Sequence, residues 1–479
     1  MTSQPDFRAF RLPATSGREL RFSSARAIMR VLWMAGFVMP VHANAATESL
    51  IYNFSGSNGA VDPFGGLVVA KDGSLYGVSR EGGSACASPG CGIFYRLVPP
   101  AAGQTAWTQQ DLYAFAGGSD GQNPMSTLVP YGKAGYLGTT QSGGANGRGT
   151  IFELVPPTKA NPAWTEIKLL DLAIAYGAQS VSGMVRTKKG SYYGVTQIGG
   201  NGTCQSAGTV VGCGVFFELT PPAAGQSSWS YDVIYAFQGQ GDGASPWGTP
   251  SITPKGSVLV ATTAAGSAGF GSVVEFTPPT KTNANWAGAI VYEFTGGSDG
   301  GTPLGQLYTA KTGVVYGTAE VGGTYNLGTV FSLSPPARGS KSGWAFNTLY
   351  SFEGAHLQEP GLGSYFDGAY PSAGVVMDKT GALYGTTQQG GNIAYECANG
   401  VLSNNGCGTV FKLTPPAAGQ TTWSESVVDG FSYCCDGYFP FSTLTLSSAG
   451  TLYGTTPYGG SRTQGVDPGS GTAFQVTTP

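Results

Sequence analysis

Acids and histidines come first, because general acid–base work and metal binding both depend on them. Only two His occur in the 479 residues, His42 and His356. His356 lies in "EGAHLQEPGLGSYFDGAYP" with Glu353, Glu359 and Asp367, a set that reads either as an acid/base helper among carboxylates or as a solvated loop. A second set recurs along the chain. "GGSDGQNP", "GQGDGASP", "GGSDGGTP", "YFDGAYP" and "CCDGYFP" place Asp120, Asp242, Asp299, Asp367 and Asp436 shortly before a Pro. Asn58 takes the place in "GSNGAVDP", and "YGAQSVSG" lacks it. Converging carboxylates would bind Ca²⁺ or sugar hydroxyls. An Asp-Gly turn whose carboxylate caps its own backbone explains the same pattern. No DxDxDG spacing occurs, so Ca²⁺ ranks low and no other cofactor or metal is expected. A phosphate loop, a nucleophile elbow and a carboxylate spacing specific to glycoside chemistry are all missing. The weak catalytic candidates are His356, Asp367 and Asp436, and the expectation leans away from an enzyme.

The eight Cys divide in the same region-specific way. Cys86/Cys91, Cys204/Cys213 and Cys397/Cys407 are close in sequence, and the second of each pair directly precedes the Gly of a "GxxF" segment. That equivalent placement predicts three local disulfides. Cys434 and Cys435 are adjacent, and either join each other or pair elsewhere. A disulfide chemistry agrees with the N-terminus, where Arg26 and Arg30 precede "VLWMAGFVMP" and then the cleavage pattern Ala43-Asn44-Ala45. Residues 1–45 read as a signal peptide, with 1–28 as an extended start before Met29, and 46–479 as one mature domain. Six Arg, one Asp and one Glu fall in the signal, leaving 18 basic and 25 acidic residues. An acidic chain without a basic block does not bind nucleic acid or anionic lipid. No later run of ~20 apolar residues predicts a membrane span.

Positioning these residues falls to a repeat. Gly (77) and Pro (30) are abundant while aromatics reach 12%, so the chain folds through many turns. A charged fraction of 11% argues against helices, whose surfaces carry Lys and Glu. Seven copies of one unit align, with a Tyr-Gly phrase at Tyr76, Leu137, Tyr193, Val260, Tyr316, Tyr384 and Tyr453. A "GxxFxL" segment follows, then Pro-Pro, a Trp, and "LYxF" as in 112–115, 234–237, 291–294 and 349–352. Each unit holds four short β-type runs punctuated by turns, the pattern of a propeller blade. The chain ends on a third-strand segment, "GTAFQVTTP", and "ESLIYNFSG" at 48–56 is a fourth strand with nothing before it. The expectation is an all-β, seven-bladed propeller closed by the N-terminal strand, which leaves no open edge in the last blade.

The phrase "LYGTTxxGGxxxxGTVFxLxPP" resembles the GloVer tandem repeat family of bacterial secreted proteins. The resemblance covers nearly all of 46–479 and implies no catalytic residues. Members of that family carry varied C-terminal anchoring signals, a pattern from which this sequence departs at Pro479, so the resemblance leaves surface attachment open.

The loops between second and third strands vary most. Three have four residues between "GG" and "GxxF", and the others have 8, 13, 16 and 10. Three of the four long ones hold the Cys pairs, so this face is the expected binding face. Tyr365, Phe366, Tyr438, Phe439 and Tyr458 lie near it as stacking candidates. The functional expectation is a secreted or periplasmic, monomeric, non-catalytic propeller that binds an extracellular glycan or protein. A carbohydrate-active hydrolase or lyase and a structural envelope or adhesion component are the alternatives.

Overall fold

A computed structural model describes residues 47–56, 59–337, 343–356, 365–392, 406–431, 436–460 and 469–477. Residues 1–46, Asn58, Glu359, Cys397, Cys434 and Cys435 lie outside them. The described chain is all β, and seven antiparallel four-stranded sheets form a seven-bladed propeller. The sixth blade is representative. A two-residue innermost strand, Val376–Met377, pairs with Leu383–Thr387, which pairs with Thr409–Thr414, which pairs with Ser424–Gly430. Blade seven takes its inner three strands from Thr445–Leu446, Thr451–Thr456 and Thr472–Thr477. Its fourth is the N-terminal Thr47–Asn53, which pairs antiparallel with the third. The ring therefore closes as expected.

The repeated phrase is explained by register. The Gly of each Tyr-Gly phrase stands opposite the aromatic of "GxxF": Gly138 opposite Phe152, Gly194 opposite Phe217, Gly317 opposite Phe331, Gly385 opposite Phe411 and Gly454 opposite Phe474. The ring of the aromatic lies over the Gly, so that a Cβ on Gly454 would stand 2.4 Å from Phe474 Cζ. All five Phe are fully buried. In blade four Val260 stands opposite Val274, so a side chain appears on the second strand only where the facing ring has gone. This register also moves the fourth copy by one residue: Leu259, not Val260, holds the tyrosine position. The alternation is a packing rule, since the volume of one ring needs the absence of one side chain.

The two Thr of "GTT" have separate tasks. The first reaches the next blade: Thr139 Oγ1 donates to Ser180 and Ser182 O (both 3.3 Å), Thr318 to Ala373 O (2.7 Å), and Thr455 to Gly65 O (3.3 Å). The second stays home, pairing with the hydroxyl at the start of the third strand, as in Thr140–Thr150 (3.0 Å), Thr387–Thr409 (2.7 Å) and Thr456–Thr472 (2.8 Å). A buried hydroxyl with two partners adds order without leaving a polar atom unpaired.

Blades meet at a conserved junction geometry. Asp62, Asn123, Gln179, Ser245, Thr302, Tyr370 and Phe439 all adopt left-handed backbone, with φ between 52° and 58°. Six of the seven directly precede a Pro. Each donates its N–H across the junction to the residue before the "GxxF" Gly of the preceding blade, at 2.8–3.0 Å. The following Pro then packs on that Gly, as Pro440 does on Gly408 and Pro63 on Gly471.

Replacing Gly454 by Val is expected to destabilise the fold by about 1–3 kcal/mol through overpacking. Phe474→Val in the same chain should recover part of this, as blade four does naturally. A double-mutant cycle from denaturant unfolding should give a coupling of about 0.5–3 kcal/mol, and simple additivity would refute the packing rule.

Candidate functional site

Strand direction fixes which face carries what. The second strand ends where the long loops begin, and the blade connections arrive at that same end before the innermost strand starts. At this end, the residue after each junction Pro (Ser180 in the third blade) points to the axis. Phe64, Met125, Val181, Trp247, Leu304, Ser372 and Phe441 form the constriction of an axial cavity of about 60 Å³. Phe64 and Phe441 are 4.5 Å apart by ring centroid, and Trp247 reaches Phe441 at 6.2 Å across the axis. Ser372 is the one polar member.

The third position after the phrase Gly is held by Arg80, Gln141, Gln197, Thr263, Glu320, Gln388 and Pro457, and of these Glu320 and Gln388 reach Ser372 of the cavity lining. Two polar clusters form there. Glu320 accepts from Ser372 Oγ (3.1 Å) and Gln388 Nε2 (3.2 Å), which ties the collar to the cavity wall. Burial raises the Glu320 carboxyl, and these two hydrogen bonds work against the rise. In the other cluster Arg80 Nη1 donates to Asp62 Oδ2 at 3.0 Å and its Nη2 lies 3.4 Å from Glu81. Asn123 Nδ2 donates to Arg80 O at 3.0 Å. The Asp62 side chain is 5% exposed, and its Oδ1 has no hydrogen-bond partner. Burial pushes Asp62 up to about 7, with Glu81 adding to the rise and Arg80 opposing it.

Tyr458 belongs to this cluster. Its ring packs on buried Tyr438 at 5.4 Å, its hydroxyl bonds Arg80, and burial raises it above the usual tyrosine range. Phe439 adjoins Tyr438 at 5.1 Å. His356 and Tyr365 pair through their backbones in a short ribbon, and their side chains lie outside the described set. Sequence reading missed Asp62, Arg80, Glu320, Gln388 and Trp247. Their one signal was available: each occupies a fixed offset from "GTT" or from the junction Pro.

The recurrent aspartates serve their own turns. Asp120 accepts from Tyr113 OH (2.9 Å) and Ala116 N (2.6 Å), and Asp242 from Tyr235 OH (3.0 Å) and Gln238 N (2.8 Å). Asp299 accepts from Tyr292 OH (2.9 Å) and Thr295 N (2.8 Å), and Asp367 from Tyr350 OH (2.6 Å), Glu353 N and Gly354 N. Each tyrosine comes from the "LYxF" strand that leads into the turn. Burial and the neighbouring carboxylate raise all four, Tyr235 to about 12. In blade six Asp429 replaces the tyrosine. Burial and the charge of Asp436 raise it to about 6. Asp436 also accepts through its carbonyl from Thr472 Oγ1 at 2.7 Å. Two glutamates on fourth strands add a second acid: Glu166 beside Asp120 and Glu425 beside Asp367, each raised to about 8, first by burial and then by that neighbour.

Two expected disulfides are present, Cys86–Cys91 and Cys204–Cys213. Each closes its own long loop and lies against a glycine of the blade connection, Gly117 and Gly239 respectively. Cys407 is also disulfide-bonded, to a residue outside the described set. Among the described residues no group of three or more His, Cys, Asp or Glu is placed to hold a metal, and no helix is long and apolar enough to cross a membrane.

A family model, the Gloeobacter/Verrucomicrobia repeat, matches residues 34–211 and 201–467. The chain belongs to this repeat family. The repeat it matches is the one whose Gly, Thr and Phe positions the register explains. No curated protein matches the chain. Among solved structures, PhoX of Pseudomonas fluorescens in complex with vanadate is 12% identical over 91% of this chain and 95% of its own, with a TM-score of 0.42. A protein of unknown function from Dyadobacter fermentans is 12% identical over 90% and 98%, with a TM-score of 0.40. Likenesses of this size carry no functional argument.

Two outcomes follow for this member of the repeat family. Asp299→Ala should destabilise by about 1–3 kcal/mol, since the Tyr292 hydroxyl and the Thr295 amide lose their acceptor. Denaturant unfolding measures this directly. For Glu425, Glu166 and Asp62, the folded values of about 8, 8 and 7 lie above the ordinary 4.5, 4.5 and 3.8. Folding therefore favours their neutral forms. That stabilisation is full below about pH 4 and is lost as pH rises through 7 to 8. These groups should therefore make Tm fall between pH 5 and 8.5, and Glu425→Gln should flatten the fall. An unchanged slope would reject the assignment.

Proposed function

We propose that this repeat protein is a non-catalytic binding propeller, and that its ligand is an extracellular glycan received at the axial mouth on the long-loop face. The observation that carries this reading is the pairing of an aromatic constriction (Phe64, Trp247, Phe441) with a collar of amide, hydroxyl, guanidinium and carboxylate groups. Sugars bind in this manner, through rings against their apolar faces and through polar groups against their hydroxyls. The cavity is too small for a whole sugar, since one water occupies about 30 Å³ of liquid. It accepts one protruding substituent, a hydroxymethyl or acetamido arm, while the collar meets the rest. Tyr458, held by Arg80, extends the collar towards blade seven. The aspartates contribute by fixing the connections that the stapled loops rest on. Two disulfides fit a secreted or periplasmic setting, and the chain is taken as a monomer.

The rival reading, glycoside cleavage by loop carboxylates, would draw on Glu425 and Asp367, where a neutral carboxyl meets a carboxylate. Asp367 is already an acceptor for three donors in its own turn, which favours the binding reading.

A glycan array with the whole chain tests the proposal. Binding should fall at least tenfold in Trp247→Ala and in Arg80→Ala, and should persist in Glu425→Gln. Binding unchanged in both collar variants would move the site elsewhere. Polysaccharide turnover abolished by Glu425→Gln would replace binding with catalysis.

A further inference from the structure

The opposite face holds a second cavity, of about 120 Å³, between blades four and five. Pro254, Lys255, Glu275, Pro335, Pro336 and Trp344 line it, with Thr253, Thr312 and Gly313 at its edge. Its origin is legible by comparing the seven copies. In blades one, three, five and six the tyrosine of the Tyr-Gly phrase projects into the corresponding space. Tyr76 lies 6.3 Å from Trp164 by ring centroid, with Arg96 over its face at 5.7 Å. Tyr193 meets Trp286 edge-on at 5.6 Å, Tyr316 meets Trp423 at 6.2 Å, and Lys412 stands 5.6 Å over Tyr384.

These neighbours map one to one onto the cavity wall. Trp344 is the counterpart of Trp164, Trp286 and Trp423. Glu275 is the counterpart of Arg96 and Lys412, because each faces the tyrosine position across the second and third strands. Thr253 is the counterpart of Asp378, which accepts from the Tyr384 hydroxyl at 3.3 Å. Blade four carries Leu259 at the tyrosine position; blade two likewise carries Leu137 there, but Tyr131 of its first strand meets the Trp229 ring at 5.1 Å and occupies the space. Leu259 is fully buried in the core, so its shorter side chain does not reach the slot. Trp344 Nε1 turns to Glu275 Oε2 (3.1 Å), and Ser257 Oγ holds Oε1 (2.6 Å), which fixes the walls around an unfilled centre.

We propose that this cavity is a binding slot for a single phenol ring supplied from outside the chain. The walls were shaped by a repeat that elsewhere encloses a tyrosine. Their chemistry is therefore that of a tyrosine site: a Trp and three Pro for the faces of the ring, and hydroxyl and carboxylate acceptors for its OH. The size agrees, since an apolar cavity of ~150 Å³ takes up benzene. The free phenol of a plant- or polymer-derived aromatic and the tyrosine side chain of a peptide share this chemistry. The slot lies on the face opposite the axial mouth, so it stands or falls independently of glycan binding.

Calorimetric titration of the whole chain with p-cresol, N-acetyltyrosinamide and toluene is the test. Saturable one-to-one binding of p-cresol is expected, with toluene at least tenfold weaker. Binding of both p-cresol and N-acetyltyrosinamide identifies a tyrosine side chain as the natural occupant, and p-cresol alone identifies a free phenol. Leu259→Tyr should fill the slot from within, abolish the binding and raise Tm. Thr312→Tyr, at an exposed position on the rim, should block it without touching the core. Absence of saturable p-cresol binding, equal affinity for toluene, or affinity unchanged in a folded blocking variant would overturn the proposal.

Discussion

One contact holds the ring together: the left-handed residue at the head of each blade, whose N–H crosses to a carbonyl of the blade before it. Non-glycine residues in this conformation are strained by roughly 1–3 kcal/mol each. The strain recurs seven times, on side chains as different as Asp62, Ser245, Thr302 and Phe439. A penalty met that often is tolerated because the conformation itself does something needed. It turns the chain from the connection into the innermost strand. It also aims the amide sideways at the neighbour and sets the next residue against the preceding blade's Gly. The axial cavity, the collar and the placement of the long loops all descend from this turn. The residue two steps beyond it points to the axis, and the residue three steps beyond also lines the cavity.

Within a blade the controlling rule is volume. A fully buried ring on the third strand requires a Gly on the second, and blade four shows the exchange in both directions at once. The same economy governs the space beneath the Pro-Pro turns, where a Trp is covered by a tyrosine ring in some blades and by a carboxylate in one. Equivalent positions thus behave as a set of natural substitutions within one molecule. Differences among the seven copies are more informative than their likeness.

The architecture was readable from the amino-acid sequence because its causes are local and repeated: strand-length apolar runs, Gly and Pro between them, and two chain ends that complement each other. Two of the cysteine pairs were readable for the same reason, since their separation and their place before "GxxF" leave little choice of partner. The collar was not. Arg80, Glu320 and Gln388 are three unremarkable polar residues in three different blades, and only ring closure brings them to one mouth. Asp62 does not stand out, because Asn58, four residues earlier in "GSNGAVDP", already takes the place of the recurrent acid. Leu259 was misaligned by one residue, because an apolar "VLV" gives no phase until pairing supplies it. Long-range convergence and strand register are the two properties that a periodic sequence conceals.

The closing strand has a consequence in time. Thr47–Asn53 is synthesised before any blade, yet its sheet partner among the described residues is Thr472–Thr477, more than four hundred residues later. Six blades can mature in order from local contacts while the first strand waits unpaired. The last blade cannot be completed by neighbours at all, because its outer strand belongs to the opposite end of the chain. Contacts of such separation form slowly, as the loop they close is nearly the whole molecule. Assembly of the ring is thus a zip followed by a latch, with the oldest segment acting last.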